Sequence, residues 1–121
     1  MSPTEHYHRT CRYALLAFLA AGALLAVVFL IPGAGGRAHL VEWAALLHDT
    51  GLPEGVAHFL LWAAGFVLMG GCAAATAWAF CRWVPVRCPK CGGAAYWRAE
   101  GSWAYRCRGC NHLHETGLGA E

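Results

Sequence analysis

Cys88-Pro89-Lys90-Cys91 and Cys107-Arg108-Gly109-Cys110 are two thiol pairs, each with two residues inside it, and fifteen residues separate them. Two intervening residues let the backbone bend so that both sulfurs of a pair face one point, and two such pairs supply the four soft ligands of a tetrahedral ion. The predicted chemistry is metal binding by Cys88, Cys91, Cys107 and Cys110. Zinc is the expected ion, one per chain, in a structural role, because four thiolates leave no open position for a substrate or an activated water. No acid and base pair accompanies the cysteines, so no catalytic residues are assigned and no enzyme is expected.

Two knuckles close on one ion only if the chain between them folds back. Ala95, Trp97 and Ala99 alternate with Ala94, Tyr96 and Arg98, and Trp103-Ala104-Tyr105-Arg106 supplies a return strand after a turn at Glu100-Gly101-Ser102. Gly92 and Asn111 each follow the second cysteine of a knuckle, where a residue able to enter the left-handed region turns backbone N–H groups toward sulfur. On these residues the segment from Cys88 to about His114 resembles the zinc-ribbon family, and Cys88-Pro89-Lys90-Cys91-Gly92 looks like its first knuckle. Asn111 stands where the family usually has Gly. The resemblance covers about a quarter of the chain and implies a β-hairpin zinc ribbon over 86–114. Zinc ribbons serve nucleic acids, protein partners or local stability, so the resemblance implies a fold and no single activity. A rubredoxin-like iron centre also uses two such knuckles and would make an electron carrier, but the second knuckle lacks the Pro and Gly of that centre.

The surroundings of the thiols carry two further expectations. Arg87, Lys90, Arg106 and Arg108 offset the two surplus negative charges of a four-thiolate zinc centre, with a patch for an anionic partner as the other reading. Tyr96, Trp97, Trp103 and Tyr105 form mainly the core and cross-strand pairs of a small sheet instead of a platform for stacked bases. His112 and His114, next to the last ligand, are read as solvated or hydrogen-bonded to the knuckle.

The rest of the chain reads as the anchor for this module. Of its 121 residues 58% are hydrophobic and 13% charged, with a net charge of +2, which is too apolar for an ordinary soluble protein and too weakly basic for a nucleic-acid stripe. Tyr13–Ile31 contains no charge, nor does Phe59–Phe80; at about 1.5 Å per residue each run approaches or spans the ~30 Å hydrocarbon layer. The apolar stretch after Arg9 and Arg12 is longer than the core of a signal peptide, so it is read as an uncleaved anchor. The fold class expected is a membrane α-helical hairpin with a small C-terminal ribbon: an N-terminal tail at 1–12, spans at 13–31 and 56–81, a connecting loop at 32–55, the ribbon, and a tail at 115–121. Pro32 and Gly33 stop the first span, while Pro53 and Glu54 suit the first turn of the second. Within the loop Leu40, Trp43, Ala44 and Leu47 recur on one helical face, predicting a short amphipathic helix over about 38–49 that lies on the membrane surface.

Orientation follows the cations. Arg9, Arg12, Arg82, Arg87 and Lys90 flank the outer ends of the hairpin, and the loop holds only Arg37, so both termini are predicted on the cytoplasmic side. Tyr13, Trp78 and Trp83 then sit near the inner interface and Phe59 and Trp62 near the outer one. The abundance of Ala, Gly and Trp associates the chain with a bacterial inner membrane. Ala17 with Ala21, Gly22 with Ala26, Gly70 with Ala74 and Gly71 with Ala75 offer close helix contact, within the hairpin or with a second copy. In the loop His39, Glu42, His48, Asp49 and His58 form a loose set whose spacing matches no specific metal site. Cys11, Cys72 and Cys81 are read as small apolar packing groups. The function expected is that of an interaction or accessory module with the lipid bilayer and an unidentified protein as partners. A metal-handling or redox accessory comes second, and a membrane-tethered nucleic-acid binder third.

Overall fold

A computed structural model describes residues 1–31, 33–100 and 102–116. In chain order its elements are α1 (Pro3–Leu30), α2 (Gly36–Asp49), α3 (Glu54–Trp83), β1 (Val86–Arg87), β2 (Ala94–Glu100), β3 (Ser102–Cys107) and β4 (Leu113–Glu115). The expected stop at Pro32, the Gly101 of the expected turn and residues 117–121 of the C-terminal tail lie outside the described residues.

The first helix begins ten residues before its apolar run, at Pro3 and not at Tyr13. Ser2 Oγ accepts the Glu5 N–H at 3.2 Å, capping a helix whose first position is a proline with no N–H to satisfy. Glu5 then receives the Arg9 guanidinium at 2.8 Å one turn later, an exposed pair worth about 0.3–0.5 kcal/mol. Residues 3–12, within the N-terminal tail expected at 1–12, form the opening turns of α1.

The chain divides into two compact units, 15–73 and 1–14 with 74–121. In the first, α2 starts two residues before the expected boundary because Gly35 takes a left-handed turn at φ 80°. Leu40, Ala44 and Leu47 lie on the covered side of this helix. Gly36 is pressed against the backbone of α1, where an added Cβ would run into the Val28 carbonyl oxygen. Gly36→Ala is therefore expected to cost about 1–3 kcal/mol, the scale of overpacking a tight contact. Thermal unfolding of the detergent-solubilised protein checks it, and an unchanged midpoint would mean that this contact is not made. Of the small-residue pairs, Gly22 does bring α1 against α3: a Cβ there would meet the Met69 methyl at 2.6 Å. Gly70 and Gly71 have open space where a Cβ would stand, so those two pairs make no close helix contact.

Helices α1 and α3 are long and apolar enough to cross a membrane, and no residue of their most apolar stretches is buried. Phe59 and Val67 are 70% and 75% exposed, a density of exposed apolar side chains that water disfavours.

In the second unit the four strands lie in the order β1-β2-β3-β4, all antiparallel. Ala95 faces Cys107 and Trp97 faces Tyr105 across the central pair. Strand alternation sends these residues to one side, where Val86, Cys88, Ala95, Tyr105 and Cys107 form the core and Trp97 and Trp103 pack against it. The expected hairpin is present, extended at each edge by a short strand that no periodicity in the sequence announces. The start of α1 and the end of α3 belong to this unit as well. Thr10 meets Cys81 at 3.6 Å and Tyr13 packs on Phe80 at 5.2 Å between ring centroids. The partner number falls as the α1 number rises, so the two segments run antiparallel.

Candidate metal centre

Each knuckle is a backbone turn that aims amides at sulfur. In the first, the Gly92 N–H donates to the Cys88 carbonyl at 2.9 Å and the Cys88 N–H donates to the Gly93 carbonyl at 2.8 Å. In the second, the Cys107 N–H donates to the His112 carbonyl at 3.0 Å. Gly92 has φ 71° and Asn111 φ 54°, the left-handed geometry that the spacing predicts. Arg108 N–H donates to the Ala94 carbonyl at 3.1 Å, tying the second knuckle to the strand that follows the first.

The result gathers the four sulfurs within 4.8 Å of one another, and they are the cluster of metal-ligating side chains among the described residues. Cys88 and Cys110 sulfurs stand 3.7 Å apart, and those of Cys91 and Cys107 stand 3.4 Å apart. A tetrahedron with arms of about 2.3 Å has edges of about 3.8 Å, so the spacing suits one ion, while a disulfide would need sulfurs about 2.05 Å apart. Room for the ligands comes from glycine. A Cβ on Gly93 would lie 3.2 Å from the Cys91 sulfur, and one on Gly109 would lie 3.8 Å from it.

Electrostatics also call for a cation. The Cys110 N–H, with help from the Cys91 thiol and the Gly109 N–H, outweighs burial and holds the Cys107 thiol down to about 6. At Cys91 the Gly93 N–H pulls the other way but is outweighed by the neighbouring thiols and by burial, and the group is pushed up to about 11. Thiols this close lose protons in sequence, not together. A divalent ion at their centre removes that conflict, since all four then bind as thiolates.

One buried chain of hydrogen bonds, which no sequence motif announces, joins the start of α1 to this sheet. His6, fully buried, has Nε2 3.0 Å from the Val84 carbonyl and Nδ1 2.9 Å from the Tyr105 hydroxyl. Trp103 Nε1–H donates to that hydroxyl at 2.6 Å. All four groups are satisfied when Nε2–H donates to Val84, the Tyr105 O–H donates to Nδ1, and the indole donates to the Tyr105 oxygen. That assignment requires a neutral imidazole. Burial pushes the Tyr105 hydroxyl up to about 12, against the lowering contact with Trp103, so it stays a donor. Tyr7 closes the junction edge-on to Trp103 at 5.2 Å, and the Arg87 N–H donates to the Met1 carbonyl at 3.0 Å.

Burial lowers the His6 pKa from its ordinary 6.5, outweighing the carbonyls of Val84 and Phe80 that raise it. The unfolded chain thus takes this proton first as the pH falls. The stability that His6 contributes is whole above the unfolded value, declines as the pH drops from there toward the lowered folded value, and then levels. The metal-loaded protein is expected to lose thermal stability below pH about 6.5 more steeply than a His6→Gln variant, whose amide does not titrate. Loss of metal by thiolate protonation is common to both proteins, so the difference between their melting curves isolates His6; parallel curves would contradict this account.

The other candidates stay apart. His39 pairs with Glu42 at 3.4 Å, whereas His48 and His58 each donate Nδ1–H to a carbonyl of their own segment, Leu52 at 2.9 Å and Glu54 at 3.0 Å. The loop histidines form no metal cluster among the described residues. His112 and His114 are half-buried and outside the thiol group. Of the aromatic residues, Tyr105, Trp97 and Trp103 join the core, while Tyr96 lies beneath the Arg108 guanidinium at 4.5 Å. Cys81 is buried, and Cys11 and Cys72 are exposed.

The chain matches no family model, no curated protein and no solved structure. Its own geometry defines the class: two long apolar helices with a shorter one between them, followed by an antiparallel sheet whose four cysteines can hold a metal ion.

Proposed function

We propose that this chain is a membrane-anchored zinc-ribbon protein that serves as an interaction or accessory module. Helices α1 and α3 cross the bilayer as a hairpin, and the zinc-bound sheet is the cytoplasmic working part. The observation that carries the reading is the closed set of four sulfurs, spaced 3.4 and 3.7 Å within its two close pairs, which suits a structural ion and offers a substrate no open position. Zinc is chosen over iron because the second knuckle lacks the Pro and Gly of rubredoxin-like centres. A sheet of about thirty residues buries too little apolar surface to fold alone, so metal binding supplies folding free energy directly.

The topology has support of its own. His6 and Tyr105 bond at 2.9 Å, so the N-terminal turns and the C-terminal sheet occupy the same side of any membrane, which requires an even number of crossings. Two spans satisfy this, and the arginines near their ends favour the cytoplasm. The test is protease access to N- and C-terminal tags in sealed vesicles of both orientations, after confirming that the chain resists alkaline extraction. Both tags are expected to be cut only from the cytoplasmic face. Tags on opposite faces, or a chain that alkaline washing releases, would overturn the anchor.

A further inference from the structure

The face of the sheet opposite the core carries Arg98 and Arg106, with Glu115 beside Ala104 at the β4 edge. Alternation places Tyr96, Arg98 and Arg106 there, with Tyr96 and Arg106 direct cross-strand partners. Arg108, next to the ligand Cys107, spreads over the Tyr96 ring at 4.5 Å, a stacking that leaves the in-plane N–H donors of a guanidinium available. Arg82, in the last turn of α3, completes the set. Together with Asn111 and Cys107 these residues line a groove of about 190 Å³, the volume of about six water molecules.

Four guanidinium groups line this groove, and no carboxylate does among the described residues. No ion pair joins Arg82 or Arg108 to a carboxylate whose side chain is described. The planar forks of arginine match phosphate oxygens in pairs. The groove's position narrows the choice of anion. Arg82 is followed by Trp83, 75% exposed, and preceded a turn earlier by Trp78, 59% exposed, the side chains that mark the headgroup level at the end of a span.

We infer that this groove binds the phosphate of an anionic phospholipid headgroup at the cytoplasmic interface, with Arg98 and Arg108 as principal ligands. The inference rests on the reading of α3 as a membrane span. Lipid is favoured over free phosphate because a span ending at Arg82 presents the groove to a surface where headgroup phosphates are concentrated. The zinc ribbon thereby acquires a purpose, since the metal fixes Cys107, and through it the flanking Arg106 and Arg108, at a constant distance from the bilayer.

Native mass spectrometry of the full-length zinc-loaded protein in a non-ionic detergent tests this, because one spectrum reads bound lipid and retained zinc together. Short-chain phosphatidylglycerol is expected to bind saturably, one per chain, and about tenfold more tightly than short-chain phosphatidylcholine. Arg98→Gln with Arg108→Gln is expected to remove that preference with zinc retained, while Arg87→Gln, outside the groove, keeps it. Should the double variant lose its zinc, the preference of the wild-type protein decides alone. Equal binding of the two lipids would overturn the inference, as would an unchanged preference in a zinc-retaining double variant. Displacement of phosphatidylglycerol by equimolar inorganic phosphate, or by a short single-stranded oligonucleotide, would assign the groove to another phosphate source and overturn the lipid assignment. Release of the chain by alkaline washing would instead remove the membrane reading, and the lipid preference in detergent would still be measured independently.

Discussion

Cys107→Ser is expected to unfold the sheet while leaving the apolar helices folded. Cys107 is 1% exposed, its sulfur accepts the Cys110 and Gly109 N–H groups, and it packs in the same core as Tyr105 and Val86. Serine at this position removes one of four ligands and leaves those amides with a poorer, shorter acceptor. Metal binding in small zinc peptides is worth about 10–16 kcal/mol, whereas a core of this size rarely supplies more than about 3–5 kcal/mol. A partial loss of metal affinity therefore exceeds what packing can offset. Limited proteolysis of the variant should cut throughout 86–116, with the helical circular dichroism largely retained. Cys11→Ser, at an exposed thiol, serves as the control and should resist cleavage as the wild type does. A protease-resistant Cys107→Ser sheet would mean that the fold does not depend on the metal.

Tyr105→Ala is expected to cost about 3–5 kcal/mol, the range for deleting a large buried ring. The side chain is fully buried, edge-on to His6 with centroids 5.4 Å apart, and its hydroxyl joins His6 Nδ1 to Trp103 Nε1. Tyr105→Phe separates the two contributions, since it keeps the ring and leaves the buried His6 imidazole acceptor without its partner, at about 1–3 kcal/mol, and frees the half-buried Trp103 indole donor. Chemical denaturation of the zinc-loaded protein, followed by tryptophan fluorescence, reads both variants. The alanine variant should also free the opening turns of α1, so amide exchange at 3–12 should rise. A phenylalanine variant as stable as the wild type would show that the His6–Tyr105–Trp103 chain contributes no stability.

The four-cysteine cluster that could hold an ion was legible because its geometry is local: Cys88 with Cys91 and Cys107 with Cys110 must turn within two residues, and Gly92 and Asn111 announce how. Strand alternation from Ala94 to Arg98 was legible for the same reason, and it puts Trp97 on the same side as Tyr105 across the hairpin. The two apolar runs announced α1 and α3 and their hydrophobic character, but α1 begins ten residues earlier, at Pro3, and α3 outruns its apolar stretch at both ends. What escaped was set by tertiary contact. His6 lies in the stretch that the sequence offers only as an N-terminal tail, and Tyr105, 99 positions away, covers it. A signal was present, since Ser2-Pro3-Thr4-Glu5 has the serine-to-glutamate spacing of a helix start and His6, Thr10 and Tyr13 fall on one face of the helix that follows. The arginine groove escaped for a related reason. Arg106 and Arg108 were visible beside a ligand, but Arg82 comes from α3 and Arg98 from the opposite strand, and only the folded unit brings the four together. The short edge strands β1 and β4 are too brief for periodicity to register.

The metal content of the full-length protein, purified in detergent without added metal and measured by elemental analysis beside its absorption spectrum, tests the central claim most directly. One zinc per chain with no visible band is the expected result. Iron with strong visible absorption, or a folded protein with no metal at all, would contradict it.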